Sequence, residues 1–570
     1  MCGIVGIVSQ TAFPIKDLLA SLKRLEYRGY DSFGFATDSG IIEKRIGGIV
    51  FDVEGIECKA ALAHTRWATH GGVTMENAHP HSDCSGSLFI VHNGILENYA
   101  EMKKDLESRG HKFNSGTDSE AIAHYFEEKF TEKTPELAIS DFLAIAKGTF
   151  AILILQKGSE KLYAIKKDSP LVLGITDGMS IIASDIFAFP GRIKNAVFLD
   201  DNEFASVSGG DAIFYNKDAD QVDKLQVKIA SQQDEPLDDD HFMIKEIRQQ
   251  PESARRLLGS LKSGQRSNLE GLQSEIRKAG KIIFLASGSS YHACLLGVYF
   301  LHKAGIDAQA IIASEFGDYS SVSHGDLVVA VSQSGETMDV IDALKAAKSQ
   351  GARIASIVNT QFSTIQRMSS ASILMEAGHE TCVAATKTFT NEVLLLASIA
   401  QNLGYKTDLG SMPEKISAVL AQEQKLDALA RRLAAKKDIY IIGRGMSYPV
   451  AREVALKLKE ISYIHAEGMM GGELKHGTLA LIEESTPVIA LINRGDSVIS
   501  NVNEAQARGA EIIAITSEDV YDGIRIPSEN EAEFAILCAI AGQLLTYHIA
   551  RQKGLPIDKP RNLAKSVTVK

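Results

Sequence analysis

The sequence predicts an α+β domain of two packed antiparallel sheets with flanking helices, followed by two duplicated α/β domains built on parallel sheets. Three observations lead there. The first part of the chain, to about residue 235, alternates short β runs with helical stretches. Beyond a polar segment, apolar strands alternate regularly with helices, the signature of parallel α/β units. That second part also contains an internal repeat.

Taken in order, the β runs of the first part are Gly3–Val8, Gly34–Thr37, Ala61–Thr65, Leu88–His92, Phe150–Leu155 and Ile181–Ser184, with helical patterns over 99–109 and 118–131. The segment Ser231-Gln-Gln-Asp-Glu-Pro-Leu-Asp-Asp-Asp240 is charged, poor in apolar residues and holds a proline, so it reads as linker. In the repeat, Lys281-Ile-Ile-Phe-Leu-Ala-Ser-Gly-Ser-Ser-Tyr291 matches Asp438-Ile-Tyr-Ile-Ile-Gly-Arg-Gly-Met-Ser-Tyr448. Further on, Val328-Val-Ala-Val-Ser-Gln-Ser-Gly-Glu-Thr337 matches Val488-Ile-Ala-Leu-Ile-Asn-Arg-Gly-Asp-Ser497. The offsets are 157 and 160 residues, so one domain is duplicated with small insertions. The expected divisions are 2–235 for the first domain, 236–245 for the linker, 246–415 and 416–560 for the two copies, and 561–570 for a tail.

The bulk properties narrow the function classes. The chain has 570 residues, 45% of them hydrophobic, too many for one core. A formal net charge of -12 without basic blocks argues against nucleic acid and against anionic membrane surfaces. Six scattered cysteines (Cys2, Cys58, Cys84, Cys294, Cys382, Cys538) without a CxxC pair read as reduced thiols, with neither a disulfide framework nor a metal site. The apolar run Ile4–Val8 is too short for a signal peptide or a membrane span, and the expected location is cytoplasmic.

Two groups of residues carry chemistry. In the first copy, Ser332, Gln333, Ser334 and Thr337 put four uncharged donors between a strand end and a helix start, where free backbone N–H groups and the helix dipole favour a phosphate. The second copy has Ile492-Asn-Arg-Gly-Asp-Ser497 there instead. Ser289 and Ser290 follow the neighbouring strand and would converge on the same point. Lys457 and Glu460, at i and i+3, share a helix face; alone they read as a solvated ion pair. His476 falls on a glycine-rich loop, and the basic tail from Asp558 to Lys570 has the composition of a frayed terminus.

At the other end, removal of Met1 would leave Cys2 with a free α-amino group of ordinary pKa about 7.7–8.0, able to serve as the base for its own thiol. Glutamine requires an arginine for its α-carboxylate, an aspartate for its α-ammonium, and Asn and Gly donors for an oxyanion. Arg66, Asp118, Asn93 and Gly94 can fill those places.

With these residues in view, the whole chain resembles the glutamine–fructose-6-phosphate aminotransferases. The motifs are Cys-Gly-Ile-Val-Gly, Leu-Glu-Tyr-Arg-Gly-Tyr-Asp-Ser, His-Thr-Arg-Trp-Ala-Thr-His-Gly, Ser-Gln-Ser-Gly-Glu-Thr, Lys-Glu-Ile-Ser-Tyr-Ile-His-Ala-Glu and Pro-Arg-Asn-Leu-Ala-Lys-Ser-Val-Thr-Val. The resemblance implies a class-II glutaminase domain followed by two sugar-isomerase domains, acting on glutamine and fructose 6-phosphate in the first step of hexosamine biosynthesis. It implies that Cys2 is the nucleophile, that Asn93 and Gly94 form its oxyanion hole, and that Arg66, Thr69, His70 and Asp118 surround glutamine. Trp67 matches a residue that gates an ammonia channel between the two sites. Lys565 would form a Schiff base with the open-chain ketose, and Glu460 would move a proton between C1 and C2 with Lys457 nearby. His476 would assist ring opening from a neighbouring subunit of a homodimer. Ser290, Ser332, Gln333, Ser334 and Thr337 would hold the phosphate, while Ser289, Val383 and Ala564 would contact the sugar. No metal or organic cofactor is implied.

The sequence departs from the family pattern in a short stretch from Gly47 to Ala61, at Ser287 where many members have cysteine, and at Ala385 where many have serine. The last two bear on acceptor preference, and another ketose phosphate is the alternative acceptor. A deaminating isomerase would have no use for the Cys2, Arg66 and Asp118 set. A non-catalytic sugar-phosphate sensor would not retain Lys565, Glu460 and His476.

Overall fold

The computed structural model describes residues 2–50, 52–68, 71–229, 238–518 and 523–567. The chain divides into two compact units, one of Met1–Pro236 with Ser566–Lys570 and one of Leu237–Lys565.

In the first unit an eight-stranded and a six-stranded antiparallel sheet pack face to face. Strand Gly3–Pro14 lies inside the larger sheet, paired with Glu57–Arg66 on one side and Met179–Ala183 on the other. Its alternation of Ile4 and Val8 toward the second sheet builds the interlayer core with Leu62, Val91, Leu153 and Ile182. Gly6 shares that face because the sheets approach closely: a Cβ there would lie 2.7 Å from Leu153 and from Leu162. Helices Ser119–Glu132 and Pro135–Ile145 cover the outer face of the smaller sheet through Phe126, Ile139 and Phe142. Each β run and both helices expected from the sequence are present, most of them longer by a few residues.

The second unit holds two five-stranded parallel sheets of identical strand order. In chain order the first has strands Ile282–Ala286, Gln309–Ile312, Leu327–Ser332, Arg353–Val358 and Ala371–Leu374. The second has Asp438–Gly443, His465–Met470, Pro487–Ile492, Glu511–Thr516 and Gly523–Arg525. In each the spatial order is second, first, third, fourth, fifth. The strand order therefore reverses between the first and third strands, the place where open α/β sheets bind ligands. The duplication extends to backbone conformation: Gly288 and Gly445 have φ of +60° and +51°, and Gly335 and Gly495 have +66° and +68°. These turns require the left-handed region, which glycine enters without a Cβ clash.

Four helices, Gly288–Lys303, Lys387–Asn402, Ser447–Lys457 and Glu531–Gln552, join one face of both sheets in a single core. Glu531–Gln552 is apolar on all sides and buried throughout its central turns, as such a helix must be in a core. Its start is capped by Asn530, whose side chain accepts the Glu533 N–H at 3.0 Å. Two expected boundaries meet helices: Phe242–Arg248 begins inside 236–245, and Met412–Leu420 spans the division at 415 and 416. Both starts are amphipathic turns whose apolar residues Met243, Ile244, Met412 and Ile416 join the core.

Candidate active site

In the first unit, Cys2 immediately precedes the strand Gly3–Pro14, and the pairing of Gly3 with Thr65 sets it beside Trp67. Its Sγ accepts the Trp67 backbone N–H at 3.3 Å, and its carbonyl accepts a hydrogen bond from Asn93 Nδ2 at 3.1 Å. Burial pushes the Cys2 thiol up, while the positive N-terminus, the Trp67 N–H and Arg66 pull it back down. Asn93 Oδ1 meets His64 Nε2 at 3.1 Å, which fixes the amide so that its NH2 faces Cys2. Gly94 follows with φ +127°, and a Cβ there would lie 1.9 Å from the Thr149 carbonyl oxygen. That contact with the adjacent strand makes glycine obligatory.

The Arg66 fork is spread over the carbonyls of Gly72 at 3.0 Å and Gly71 at 3.2 Å. Asn77 locks this loop by donating to Gly72 O at 3.0 Å and accepting the Gly116 N–H at 2.8 Å. Asp118, at the start of helix Ser119–Glu132, accepts the Leu96 N–H at 2.7 Å. Trp67 meets the Tyr30 ring edge-on at 5.6 Å. The structure thus joins Cys2, Trp67 and Asn93 directly, with Arg66 and Asp118 close enough to act on the thiol electrostatically. Thr69 and His70 lie outside the described residues. Asn77, His64 and Asp31, which accepts the Ala68 N–H at 2.9 Å, are positioning residues that motif reading left unassigned.

In the second unit, Ser332 to Thr337 close the third strand of the first sheet and lead into helix Met338–Ser349. Ser332 Oγ accepts the Gly335 N–H and meets Thr337 Oγ1, both at 3.1 Å; Ser334 Oγ accepts the Glu336 N–H at 3.1 Å. Gly335 packs so tightly on Ser363 that a Cβ would sit 2.0 Å from its Oγ. No side chain caps this helix among the described residues. The duplicate turn differs: Asp496 accepts the Val498 N–H at 2.9 Å, filling the helix entry with its own carboxylate. Only the first copy offers its helix start to an incoming anion. Gln333 is half-buried in the same turn, and its carbonyl accepts the Asn359 N–H at 3.2 Å.

The first strand delivers Ser289 and Ser290 into a network of buried carboxylates. Ser289 donates to Glu453 at 2.9 Å and Ser290 to Glu392 at 2.7 Å; His292 Nδ1 meets Glu453 at 2.8 Å. Lys457 lies 3.3 Å from Glu453 and 2.6 Å from Glu460. It is buried, which alone would lower its pKa, but these two carboxylates hold it above the ordinary lysine range. Lys457 and Glu460 are therefore a sequestered pair, not the solvated one that spacing suggests. Glu460 sits on a π turn, Leu458–Ser462, that ends helix Ser447–Lys457; such turns often mark functional sites.

The Lys565 side chain is 3% exposed and ion-paired with the fully buried Glu380, which also accepts hydrogen bonds from Thr386 and Thr388. Despite burial, Lys565 and these donors hold Glu380 down at about 2. Glu392, pushed up to about 8 chiefly by burial, is close enough to feel the charges of Glu380, Glu453 and Lys565. Ser289, Ser290, Lys457, Glu460 and Lys565 thus belong to one electrostatic cluster. Val383 donates its N–H to the Asp558 carbonyl at 3.1 Å, which ties its segment to the chain leading into the tail, and Ala564 precedes Lys565 half-buried. Ser287 Oγ is buried without a hydrogen-bond partner among the described residues. His476 ends the 3₁₀ turn Gly471–His476 and is exposed, outside this cluster. Glu392, Glu453 and His292 carry one sequence signal, a charged or polar residue inside an apolar helical run, whereas Glu380 lies in irregular backbone and carries none. Metal-ligating side chains converge, among the described residues, around Cys84 and not around Cys2 or Lys565.

Comparison with known proteins agrees with this geometry. A glutamine amidotransferase domain matches residues 1–208, and a SIS domain matches twice, at 275–401 and 432–550. Proteins named glutamine–fructose-6-phosphate aminotransferase (isomerizing) from Thermococcus kodakarensis and Sulfurisphaera tokodaii are 38% identical over 608 residues and 39% over 600, covering 100% of both chains in each case. Among solved structures, the C-terminal domain of glucosamine-fructose-6-phosphate aminotransferase from Francisella tularensis aligns with TM-score 0.52 and 31% identity, over 57% of this chain and 100% of that one. Tagatose-6-phosphate ketose/aldose isomerase from Escherichia coli, at TM-score 0.50 and 19% identity over 57% of this chain and 96% of its own, shares the fold alone. The chain belongs to the glutamine–fructose-6-phosphate aminotransferase (isomerizing) family.

Proposed function

We propose that the protein converts fructose 6-phosphate and glutamine to glucosamine 6-phosphate and glutamate, the first step of hexosamine biosynthesis. The observation that carries this reading is the presence, in one chain, of a thiol lined by amide donors and of a buried lysine in a unit with an uncapped, hydroxyl-rich helix entry.

Cys2 Sγ attacks the side-chain carbonyl carbon of glutamine. The Asn93 amide and the Gly94 N–H take the negative charge that develops on its oxygen. Collapse forms a thioester and expels ammonia, and water then releases glutamate. The Arg66 fork exchanges its carbonyl partners for the glutamine α-carboxylate, and Asp118 receives the α-ammonium; Thr69, His70 and Trp67 complete this site. In the second unit the phosphate docks at Ser332–Thr337 with Ser290. Lys565, once parted from Glu380 and deprotonated, adds to the C2 carbonyl of the open ketose and expels water as the imine forms. Ammonia displaces the lysine, and Glu460 carries a proton from C1 to C2, leaving an aldehyde at C1 and an amine at C2. Lys457 Nζ, 2.6 Å from Glu460, fixes that carboxylate in place. Ser289, Val383 and Ala564 line the sugar.

We also read the protein as a cytoplasmic homodimer. All six cysteines are free thiols, which suits a reducing compartment. The exposed position of His476 suits a residue that serves the sugar site of a second copy.

Borohydride trapping tests the lysine assignment. Incubation with fructose 6-phosphate and borohydride should leave a reduced adduct on the peptide containing Lys565, and Lys565→Ala should abolish it while glutamine hydrolysis persists. An adduct on another lysine, or none with active enzyme, would sink the assignment.

A further inference from the structure

Four side chains of the first unit converge at one place remote in sequence from Cys2. Cys84 lies in the turn between strands His81–Ser82 and Leu88–Leu96, His111 follows helix Tyr99–Ser108, and His124 and Glu127 stand at i and i+3 on helix Ser119–Glu132. One ligating atom from each lies within 4.8 Å of all the others. The edges of this group are specific. Cys84 Sγ is 3.5 Å from His111 Nδ1 and 3.5 Å from His124 Nδ1, and Glu127 Oε2 is 3.0 Å from the former nitrogen and 3.1 Å from the latter. Zinc bonds of about 2.0–2.1 Å to nitrogen or oxygen and about 2.3 Å to sulfur place tetrahedral ligands roughly 3.3 to 3.6 Å apart. Four of the six edges lie within a few tenths of an ångström of that range, and the other two are no longer than 4.8 Å.

The outer contacts point the same way. His111 Nε2 meets Glu128 at 2.9 Å, and His124 Nε2 faces Glu120 at 3.7 Å. Both rings therefore have a carboxylate at each nitrogen. A neutral imidazole donates from one nitrogen only, so one lone pair of each ring would face a carboxylate, unless the ring were charged. A divalent cation at the centre removes that conflict: it takes both Nδ1 lone pairs, leaving the His111 Nε2–H to donate to Glu128 and the His124 Nε2–H turned toward Glu120 without a hydrogen bond. This is the carboxylate–histidine–metal arrangement that orients metal ligands. The Cys84 N–H, donating to Glu127 Oε2 at 3.1 Å, fixes the fourth ligand. One thiolate and one carboxylate would balance the charge of the ion.

We propose that Cys84, His111, His124 and Glu127 form a structural zinc site. Four protein ligands leave no open position, as in structural sites and unlike catalytic ones. The thiolate and imidazole set favours zinc over magnesium or calcium. The ion clamps a hairpin turn, a loop and a helix to one another. Its outer shell also reaches the glutamine site: Glu120, behind His124, accepts the Asn114 and Ser115 N–H groups at 2.7 Å each and so holds the loop that leads to Asp118. The isolated spacing of these ligands, from 84 to 127, explains why cysteine pattern alone suggests no metal.

Cobalt serves as the probe. The full-length protein, stripped with a chelator, is titrated with Co2+ and followed by absorption. The site predicts saturation at about one cobalt per chain, with the intense visible bands of a tetrahedral ion and a thiolate-to-cobalt charge-transfer band. In Cys84→Ser the charge-transfer band should vanish, and in His124→Ala binding should weaken at least tenfold. The wild-type titration decides the matter even if a variant folds poorly. A weak octahedral spectrum with no thiolate band at stoichiometric cobalt would overturn the proposal.

Discussion

Replacing Lys565 with alanine tests the structure of the sugar site apart from its chemistry. The pair it forms with Glu380 is almost wholly removed from water, at 3% and 0% exposure. Deleting one partner of such a pair leaves a buried charge and costs about 3–5 kcal/mol. Glu380 keeps four hydrogen bonds from the N–H groups and hydroxyls of Thr386 and Thr388, which places the expectation at the lower end, near 3 kcal/mol. Hydrogen–deuterium exchange over residues 378–390 reads this locally. At about 1.4 kcal/mol per decade, protection there should fall by roughly 100-fold in Lys565→Ala. Adding Glu380→Gln should restore most of it, because the amide needs no counter-charge. The coupling between the two substitutions should be at least about 2 kcal/mol. Unchanged exchange in the single variant, or no rescue in the double one, would refute the claim that this ion pair organises the site.

The remaining predictions follow from single groups. The Glu392 carboxyl ionises near 4.5 in the unfolded chain but is held at about 8 when folded, so it keeps its proton longer in the native state. Its contribution to stability is full below pH 4.5, falls as pH rises and is lost above 8, by on the order of 5 kcal/mol. Glu392→Gln should flatten the decline of unfolding temperature between about pH 5 and 8, though Glu246, also held at about 8, retains part of the slope; an identical slope in the variant would contradict the burial argument. Gly94→Ala should lower glutamine hydrolysis by about 10²–10³-fold, since the added Cβ displaces the strand that presents the oxyanion donor; a near-normal glutamate release rate would exclude that role. Gly335→Ala should raise KM for the sugar phosphate by roughly tenfold without touching glutamine hydrolysis, because the Cβ would strike Ser363 beside the phosphate turn. At its duplicate, Gly495, alanine meets only the strain of the left-handed backbone and no atom within 4 Å, so Gly495→Ala should cost stability but leave that KM unchanged. Equal effects of the two would argue that the copies are not functionally distinct.

Much of the fold was legible because its signals are local. Fully buried strands such as Ile282–Ala286 read as unbroken apolar runs, and the duplicated glycines at 288 and 445, and at 335 and 495, announced turns of one hand. The expectation for strand Gly3–Val8 stopped where apolar residues stop. Pairing continues to Pro14 through exposed Gln10 and Thr11 and a register shift between Val8 and Phe13, which only the partner strand determines. Edge strand Ile42–Ile46, carrying Glu43, Lys44 and Arg45, gave no apolar alternation to read. At the candidate sites, Cys2, the Ser332–Thr337 turn and Lys565 lay in motifs, whereas their supports did not. Glu380, Glu392 and Glu453 owe their burial to partners 102 to 185 residues away, and the Cys84 cluster assembles from three elements, so neither had a spacing to betray it.

The central claim is that one chain moves the amide nitrogen of glutamine onto a ketose phosphate. Its most direct test supplies purified protein with amide-labelled glutamine and fructose 6-phosphate and follows the label by mass spectrometry, beside Cys2→Ala. Labelled glucosamine 6-phosphate that appears with the wild type and disappears with the variant is the predicted result. Glutamate released without any labelled aminosugar would contradict the assigned acceptor, and the absence of both products from folded protein with Met1 removed would contradict the catalytic account itself.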